Sequence, residues 1–489
     1  MLKQYIKPER PDQESFAQRL KQAREKLAAQ QMMLKQRNLP VLVLVEGWGA
    51  AGKGGAIGRV IRNLDPRFFK VKTMKSPSEE EQRYPFLHRF FKEIPKAGQF
   101  VFLDSGWMDE ICRQRFHGRL DDAQYDARIS SVKRFERQLT DNGYLLVKLF
   151  FHISRKEQEK RINNLLSDKD TAWRISDSDK WQNKHYNKCL EVFDRYLQDT
   201  DIPDAPWYIV DAKERHWAEL QMLERLCTGI DTAMQNESLA VQLLQNCFPL
   251  AKVPLLSEVS LDKSIEPAEY KATLDILQKK LYGLHYRLYR KRVPVVICYE
   301  GWDAAGKGGN IKRVTEALDA RGFEVHPIAS PDPQEKARHY LWRFWTRLPK
   351  TGHIAIFDRT WYGRVMVERL EGFCSTNDWQ RAYYEINEFE KELTDWGAVV
   401  IKFWVQIDKE TQLKRFEERQ NTPEKQWKIT DEDWRNREKW DEYEVAVNEM
   451  LQKTSTTYAP WHILESVDKK YARIKALRII IDALEKALD

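Results

Sequence analysis

The sequence has few cysteines and no long uncharged stretch. Six of its 489 residues are cysteine, and they are dispersed, without the close pairs typical of a zinc site or a small disulfide scaffold. No uncharged run of about 18 residues suggests a membrane span, and the charged segment 1–13 lacks the apolar core of a secretion signal. We therefore expect a cytoplasmic protein with no membrane partner.

A large excess of charge of one sign is also missing. The 81 lysines and arginines are nearly balanced by 74 aspartates and glutamates, which leaves a net charge of +7. A balance this mild does not by itself demand a polyanionic partner, and no DNA-binding or RNA-binding motif is recognisable. We therefore expect no nucleic-acid partner.

What the sequence does contain is an internal repeat. The phrase Gly-Trp-Asp-Ala-Ala-Gly-Lys-Gly-Gly occupies Gly301 to Gly309, and nearly the same phrase stands at Gly47 to Gly55. The two loop lysines, Lys53 and Lys307, are 254 residues apart. The same offset relates Pro77 to Pro331, Asp104 to Asp358, Gly143 to Gly397, and Trp207 to Trp461. This tandem duplication predicts two large domains, 1–240 and 241–489.

Each repeat is predicted to form an α/β domain. Apolar runs alternate with amphipathic ones, which is typical of a parallel sheet with helices on both faces. In the second repeat the predicted strands are 293–300, 323–328, 353–357 and 398–407. The predicted helices there are 268–292, 307–320, 334–346, 383–396 and 408–420, and segment 422–440 is expected to form a mobile cover.

The glycine-rich phrase is predicted to bind phosphate. A turn between a buried strand and a helix directs several backbone N–H groups at an anion, and the helix N-terminus adds a favourable dipole. Lys307 adds a positive charge at the same place. The loop residues predicted to contact phosphate are Gly301, Ala305, Gly306, Gly308 and Gly309.

The phrase departs from the usual phosphate-binding loop at one position. That loop ends in serine or threonine, whose hydroxyl holds magnesium, whereas Gly308 and Gly54 stand here. A Mg²⁺ ion must then be held by carboxylates and water. In the second repeat Asp303 and Asp358 are the predicted ligands, whereas the first repeat has Gly49 at the position of Asp303.

Two arginines distinguish the second repeat from the first. Arg359 and Arg364 follow Asp358, and the first repeat has Ser105 and Glu110 at these positions. Phosphoryl transfer needs cations around the migrating group, and one well-placed arginine changes the rate by orders of magnitude. We therefore predict that both arginines act in catalysis and that the second repeat is the active one.

Further basic residues of the second repeat are candidates for phosphate contact. Lys336 and Arg419 are replaced by Gln82 and Leu165 in the first repeat, whereas Arg415 is retained as Arg161. We predict that Lys336, Arg415 and Arg419 contact phosphate. The alternative for the last two is pairing with neighbouring glutamates on a solvated helix.

The motifs of the second repeat resemble the polyphosphate kinase type 2 family. The resemblance rests on Glu300 to Gly309, on Phe-Asp-Arg-Thr-Trp-Tyr-Gly-Arg at Phe357 to Arg364, and on Ala-Pro-Trp at Ala459 to Trp461. It implies a thymidylate-kinase-like P-loop fold with a helical lid, Mg²⁺ as cofactor, inorganic polyphosphate as donor and AMP as acceptor. It also implies an active site of Asp303, Lys307, Asp358 and Arg359.

Other functions stay open from the sequence. They are polyphosphate-dependent phosphorylation of ADP to ATP, an ATP-dependent nucleotide kinase, and a silent phosphate or nucleotide sensor. The missing loop hydroxyl disfavours the ATP-dependent kinase, and the retained arginines of the second repeat disfavour the sensor. Assembly into a homo-oligomer is also open.

Overall fold

The computed structural model describes residues 1–235 and 247–489. The predicted domain boundary between residues 240 and 241 lies outside the described residues and stays a prediction. Two compact units are present, and each is built mainly from one repeat. Pro333–His339 group with the first unit, and Glu79–Phe86 group with the second. Within the described ranges, no helix is both long and apolar enough to cross a membrane.

The first unit contains a five-stranded parallel sheet in the order β2-β3-β1-β4-β5. Its strands are β1 Val41–Gly47, β2 Phe69–Thr73, β3 Phe100–Asp104, β4 Leu145–His152 and β5 Trp207–Asp211. Its helices are α1 Gln13–Arg37, α2 Lys53–Ile61, α3 His88–Phe91, α4 Trp107–Phe116, α5 Asp122–Asp141, α6 Arg155–Leu166, α7 Asp177–Lys184, α8 Tyr186–Asp199 and α9 Arg215–Gln235.

The second repeat forms the same kind of sheet, in the order β10-β9-β6-β8-β7. Its strands are β6 Val295–Gly301, β7 Phe323–Pro327, β8 Ile354–Asp358, β9 Val399–Gln406 and β10 Trp461–Glu465. Its helices are α10 Pro267–Lys291, α11 Lys307–Thr315, α12 Pro333–Lys336, α13 Trp342–Trp345, α14 Val367–Leu370, α15 Thr376–Asp395, α16 Lys409–Gln420, α17 Asp431–Glu438, α18 Trp440–Thr454 and α19 Lys469–Leu488. The predicted α/β fold with two tandem domains is confirmed.

The position of β6 explains where the functional residues meet. Its residues Val295 to Tyr299 are fully buried, because β6 lies in the middle of the sheet with helices on both faces. β6 pairs in parallel with β8, and Tyr299 lies opposite Asp358. The loop after β6 and the segment after β8 therefore leave the same edge of the sheet side by side.

Two predicted helices differ from the observed ones. The helix predicted at 307–320 ends at Thr315, and the N–H of Asp319 donates to His285 Nδ1 instead of to a helical carbonyl. The helix predicted at 334–346 is divided into α12 and α13. The N–H of His339 between them donates to the Tyr144 hydroxyl within the first unit. In both places a contact distant in sequence replaces the next helical hydrogen bond.

Each unit has a buried ion pair at its centre. In the second unit, Lys402 Nζ lies 2.7 Å from Glu390 and donates to the Thr454 carbonyl, and both charged side chains are fully buried. Lys148 and Glu136 form the same pair in the first unit, at 2.6 Å. Burial lowers the pKa of Lys402 and raises that of Glu390. Retention of the pair in both repeats indicates a role in the fold.

We expect Lys402→Met to reduce the free energy of unfolding of the second unit by about 3–5 kcal/mol, because Glu390 would be left buried without its cation. Urea denaturation that follows the unfolding of the second unit measures this change in free energy. Lys391→Met is the matched control, because Lys391 pairs with Asp395 on the exposed side of α15 and such pairs contribute roughly 0–1 kcal/mol. Equal losses in the two variants would contradict the prediction.

Candidate active site

The loop between β6 and α11 has the backbone geometry of a phosphate-binding turn. Gly301 has a φ of 147°, and a Cβ there would lie 2.5 Å from the Val405 carbonyl oxygen. Gly306, with a φ of 113°, is the N-cap of α11. These two glycines are therefore required by close approach and by left-handed backbone. We call Gly301–Gly306 the phosphate loop.

Lys307 begins α11 and folds back over the phosphate loop. Its Nζ donates to the carbonyls of Gly301 at 2.6 Å and Trp302 at 3.1 Å. The first N–H groups of α11 have no partner inside the helix, as at any helix N-terminus. The loop therefore places a lysine and backbone donors at one point. A Cβ at Gly308 would meet no described heavy atom within 4 Å, so packing does not explain the absent hydroxyl.

Two carboxylates lie at this edge of the sheet. Asp358 ends β8, and Asp303 lies inside the phosphate loop. Asp303 accepts hydrogen bonds from Arg359 at 3.3 Å and from Asn436 at 3.0 Å. In the described parts of the chain, no group of three or more His, Cys, Asp or Glu side chains is placed to hold a metal. Two carboxylates suit Mg²⁺, which commonly takes one or two from the protein and completes its shell with water and phosphate oxygens.

Arg359 lies beside the phosphate loop in a left-handed backbone conformation. Its φ is 65°, and its N–H donates to the Tyr299 carbonyl at 3.0 Å. Its guanidinium contacts Asp303 and lies 3.9 Å from Glu432 of α17. With 44% of the side chain exposed, Arg359 is open to a ligand.

The other predicted basic residues have varied environments. Arg364 donates to Glu368 at 2.7 Å and covers the ring of Tyr340. Arg419 lies partly exposed in the last turn of α16, and Lys336 is exposed at the end of α12 in the first unit. The catalytic role of Arg364 and the phosphate contacts of Arg419 and Lys336 stay predictions.

Arg415 has contacts that favour a structural role over the predicted phosphate contact. Its buried guanidinium donates to four backbone carbonyls, and burial lowers its pKa to about 10. The four acceptors are Ala304, Ala305, Ser466 and Val467. Arg161 makes the equivalent contacts with Ala50, Ala51, Ala212 and Lys213. Retention in both repeats is therefore explained by the need to hold the loop against the segment after the last strand.

Two basic residues near the loop were missed by the sequence analysis. Lys469 lies near Gly306, and Arg473 lies next to Gly309, both on α19. Partial burial and the nearby Arg415, Arg419 and Arg473 lower the pKa of Lys469 to about 8. Among the described residues, neither has a carboxylate within ion-pair distance. The sequence did contain a signal for Arg473, because the first repeat has Glu219, of opposite charge, at the equivalent position.

Helix α17 covers the phosphate loop, in the segment predicted to be a cover. Asn436 and Glu432 of α17 contact Asp303 and Arg359, and Trp440 at the start of α18 stacks on Trp302 at 3.7 Å. A cavity of about 80 Å³ remains beneath this helix. Besides Asp303 and Arg359, its lining includes Met366, Val367, Trp404 and Tyr443.

The first repeat keeps the loop but lacks its charged partners. Lys53 contacts the carbonyls of Gly47 and Trp48 as Lys307 does with its own loop. A Cβ at Gly49 would overlap the Asp179 carboxylate, and the Gly49 N–H donates to Gln182 at 2.7 Å. Helix α7, the counterpart of α17 in the first repeat, therefore fills the space that the Asp303 side chain occupies in the second repeat.

Comparison with known proteins agrees with this geometry. A family model described as polyphosphate kinase 2 matches residues 10–238 and 264–489. The chain belongs to the polyphosphate kinase 2 family. Membership confirms the resemblance drawn from the motifs, and it covers both repeats.

Relatives of full length share the two-repeat organisation. The chain is 40% identical to a polyphosphate:AMP phosphotransferase of Pseudomonas aeruginosa over 481 residues, covering 97% of each chain. It is 38% identical to one of Acinetobacter johnsonii over 453 residues, covering 92% of each. A crystal structure of a polyphosphate kinase 2 from Pseudomonas aeruginosa matches with a TM-score of 0.86 at 38% identity, covering 100% of this chain and 99% of the other. The polyphosphate kinase 2 fold is therefore shared over the whole length.

Proposed function

We propose that this protein transfers the terminal phosphoryl group of inorganic polyphosphate to AMP, giving ADP, and that the second unit performs the reaction. One observation supports both the choice of the second unit and the choice of an anionic donor. Lys307, Lys469 and Arg473 surround the phosphate loop, and the two α19 residues have no paired carboxylate in the described chain. Positive charge without a direct ion pair attracts a polyanion. The names of the full-length relatives support the same reaction.

The reaction joins two anions, so charge neutralisation is its main requirement. A phosphate oxygen of AMP attacks the terminal phosphorus in line, the new P–O bond forms, and the bond to the rest of the polyphosphate breaks. That oxygen is already ionised at neutral pH, so no strong general base is needed. Lys307, the loop N–H groups and Arg359 stabilise the charge that spreads over the transferring group.

Asp303 and Asp358 would hold Mg²⁺, which screens charge between donor and acceptor oxygens when bound. In this role Asp303 is a ligand and not a base. Its oxygens are engaged by Arg359 and Asn436 in the present conformation. The contact from Asn436 connects the phosphate loop to α17.

The acceptor is proposed to bind beneath the same helix. The cavity of about 80 Å³ next to Asp303 is well below the roughly 300 Å³ at the lower end of ligand pockets. We propose that α17 moves away from the loop to admit AMP. The aromatic walls at Trp404 and Tyr443 provide surfaces that suit a purine. We also propose a cytoplasmic location, with neither nucleic acid nor membrane as a partner.

Product analysis tests the proposed reaction. Purified protein with Mg²⁺ receives AMP or ADP as acceptor and long-chain polyphosphate or ATP as donor, in all four pairings. We expect rapid ADP formation from AMP and polyphosphate, and loss of activity when a chelator removes the divalent ion. ATP formation from ADP as the faster reaction, or donation by ATP alone, would overturn the proposal in favour of the corresponding alternative.

A further inference from the structure

The segment after β8 holds Arg359 in a conformation that needs support. A φ of 65° is unusual for a residue other than glycine, asparagine or aspartate and costs about 1–2 kcal/mol. The next residue, Thr360, is 3% exposed and has extended backbone. The direction of the Arg359 side chain therefore depends on how firmly Thr360 is fixed.

Thr360 is fixed by the carboxylate of Glu300, the last residue before the phosphate loop. Glu300 Oε1 accepts from the Thr360 N–H and from the Thr360 hydroxyl, both at 2.7 Å. The hydroxyl also accepts from the Tyr362 N–H at 3.2 Å. Glu300 is 5% exposed, so water does not compete freely for these contacts. One hydroxyl thus connects the loop strand to the turn that follows Arg359.

The first repeat shows that the backbone does not require this hydroxyl. Ser105, at the position of Arg359, has the same φ of 65°. Glu46 is retained at the position of Glu300, yet Gly106 stands in place of Thr360. Glu46 interacts with the backbone N–H of Gly106 and accepts from the Asp109 N–H at 3.3 Å, so only the hydroxyl contact is absent from this repeat. Both repeats therefore have the same turn, but only the repeat with the arginine has the hydroxyl.

We propose that Thr360 is a positioning residue, whose hydroxyl, held by the buried Glu300, fixes Arg359 in the direction needed to contact the transferring phosphoryl group. This inference rests on the proposed function of the second unit. Without the hydroxyl, the Thr360 N–H would still donate to Glu300, but the second bond to Glu300 and the bond from the Tyr362 N–H would be lost. A side chain of equal shape without the oxygen would leave Arg359 present but less well oriented.

The test compares Thr360→Val with Thr360→Ser, each alone and combined with Arg359→Ala. Misplacement of a catalytic group by about 1 Å costs up to about 100-fold, so we expect Thr360→Val to lower kcat about 10-fold to 100-fold with KM for AMP nearly unchanged. Thr360→Ser, which keeps the hydroxyl, should restore kcat to within about threefold of the wild type. In the Arg359→Ala background, Thr360→Val should change kcat less than about twofold, because residues that act through one another are not additive.

Thr454→Val is the matched control for loss of a buried, hydrogen-bonded hydroxyl away from the site. The Thr454 hydroxyl is also buried, donates to the Met450 carbonyl and accepts from the Trp461 indole N–H, but it lies in α18 and takes no part in the phosphate loop. Thr454→Val should lower thermal stability and leave kcat of the folded protein unchanged.

An equal loss of kcat from Thr360→Val with and without Arg359 would overturn the positioning role. So would failure of Thr360→Ser to recover activity while its melting temperature matches that of the wild type. A fully active Arg359→Ala variant is a different result, because it would refute the catalytic assignment of Arg359 on which the inference rests. The two failures are therefore distinguishable.

Discussion

Lys307→Ala is expected to lower turnover of AMP and polyphosphate by at least about 1,000-fold, whereas Lys53→Ala leaves most of the activity. Both lysines have the same local contacts, because each Nζ reaches the first two carbonyls of its own loop. The two variants therefore remove the same group from equivalent positions. Their expected difference comes from what surrounds the loops.

In the second unit, Asp303 and Arg359 accompany the lysine, whereas the first unit has Gly49 and Ser105 at these positions. The Asp179 carboxylate occupies space above Gly49, and burial raises the pKa of Asp104. The first unit thus keeps Lys53 and Asp104 but lacks one of the two predicted metal ligands and the arginine predicted to stabilise the transferring phosphoryl group.

Initial rates of the two lysine variants test this expected difference. Circular dichroism checks that each variant is folded. Asp303→Ala should behave like Lys307→Ala, because it removes a predicted metal ligand. If Lys53→Ala lost as much activity as Lys307→Ala while remaining folded, the first unit would have to take part in the reaction.

Arg359→Ala should reduce kcat by about 1,000-fold, the lower end of the effect of an arginine that stabilises phosphoryl transfer. The reason is that its guanidinium is the exposed cation next to Asp303 at the end of β8. Arg359→Lys should recover only part of the loss, since an ammonium group cannot make the planar paired contacts of a guanidinium.

Arg321→Ala supplies the comparison for loss of an arginine charge. Arg321 belongs to the same unit, is 89% exposed and pairs only with the neighbouring Asp319 among the described side chains. Its substitution should leave kcat and KM unchanged. A similar drop in both variants would mean that net charge, and not the position of Arg359, governs the rate.

Much of the fold and part of the site followed from local patterns. The buried strand, glycine turn and helix that begins at Lys307 were predicted because each depends on neighbouring residues. The repeat comparison separated Arg359 from the retained positions, since two copies of one fold differ most where their chemistry differs. The same comparison showed that Arg415 is retained, but not why. Its four carbonyl partners come from two segments about 160 residues apart in the second repeat, which only the tertiary structure brings together.

By itself the sequence determined the duplication, the α/β class, the phosphate loops and the chemical difference between the repeats, because residue type and spacing carry that information. Only the tertiary structure decided which charges meet. Lys469 and Arg473 join the loop because α19 packs against α11, and Thr360 reaches Glu300 because β8 pairs with β6. The physical reason is that electrostatic and hydrogen-bond energies depend on distances in space, which the order of residues along the chain does not state.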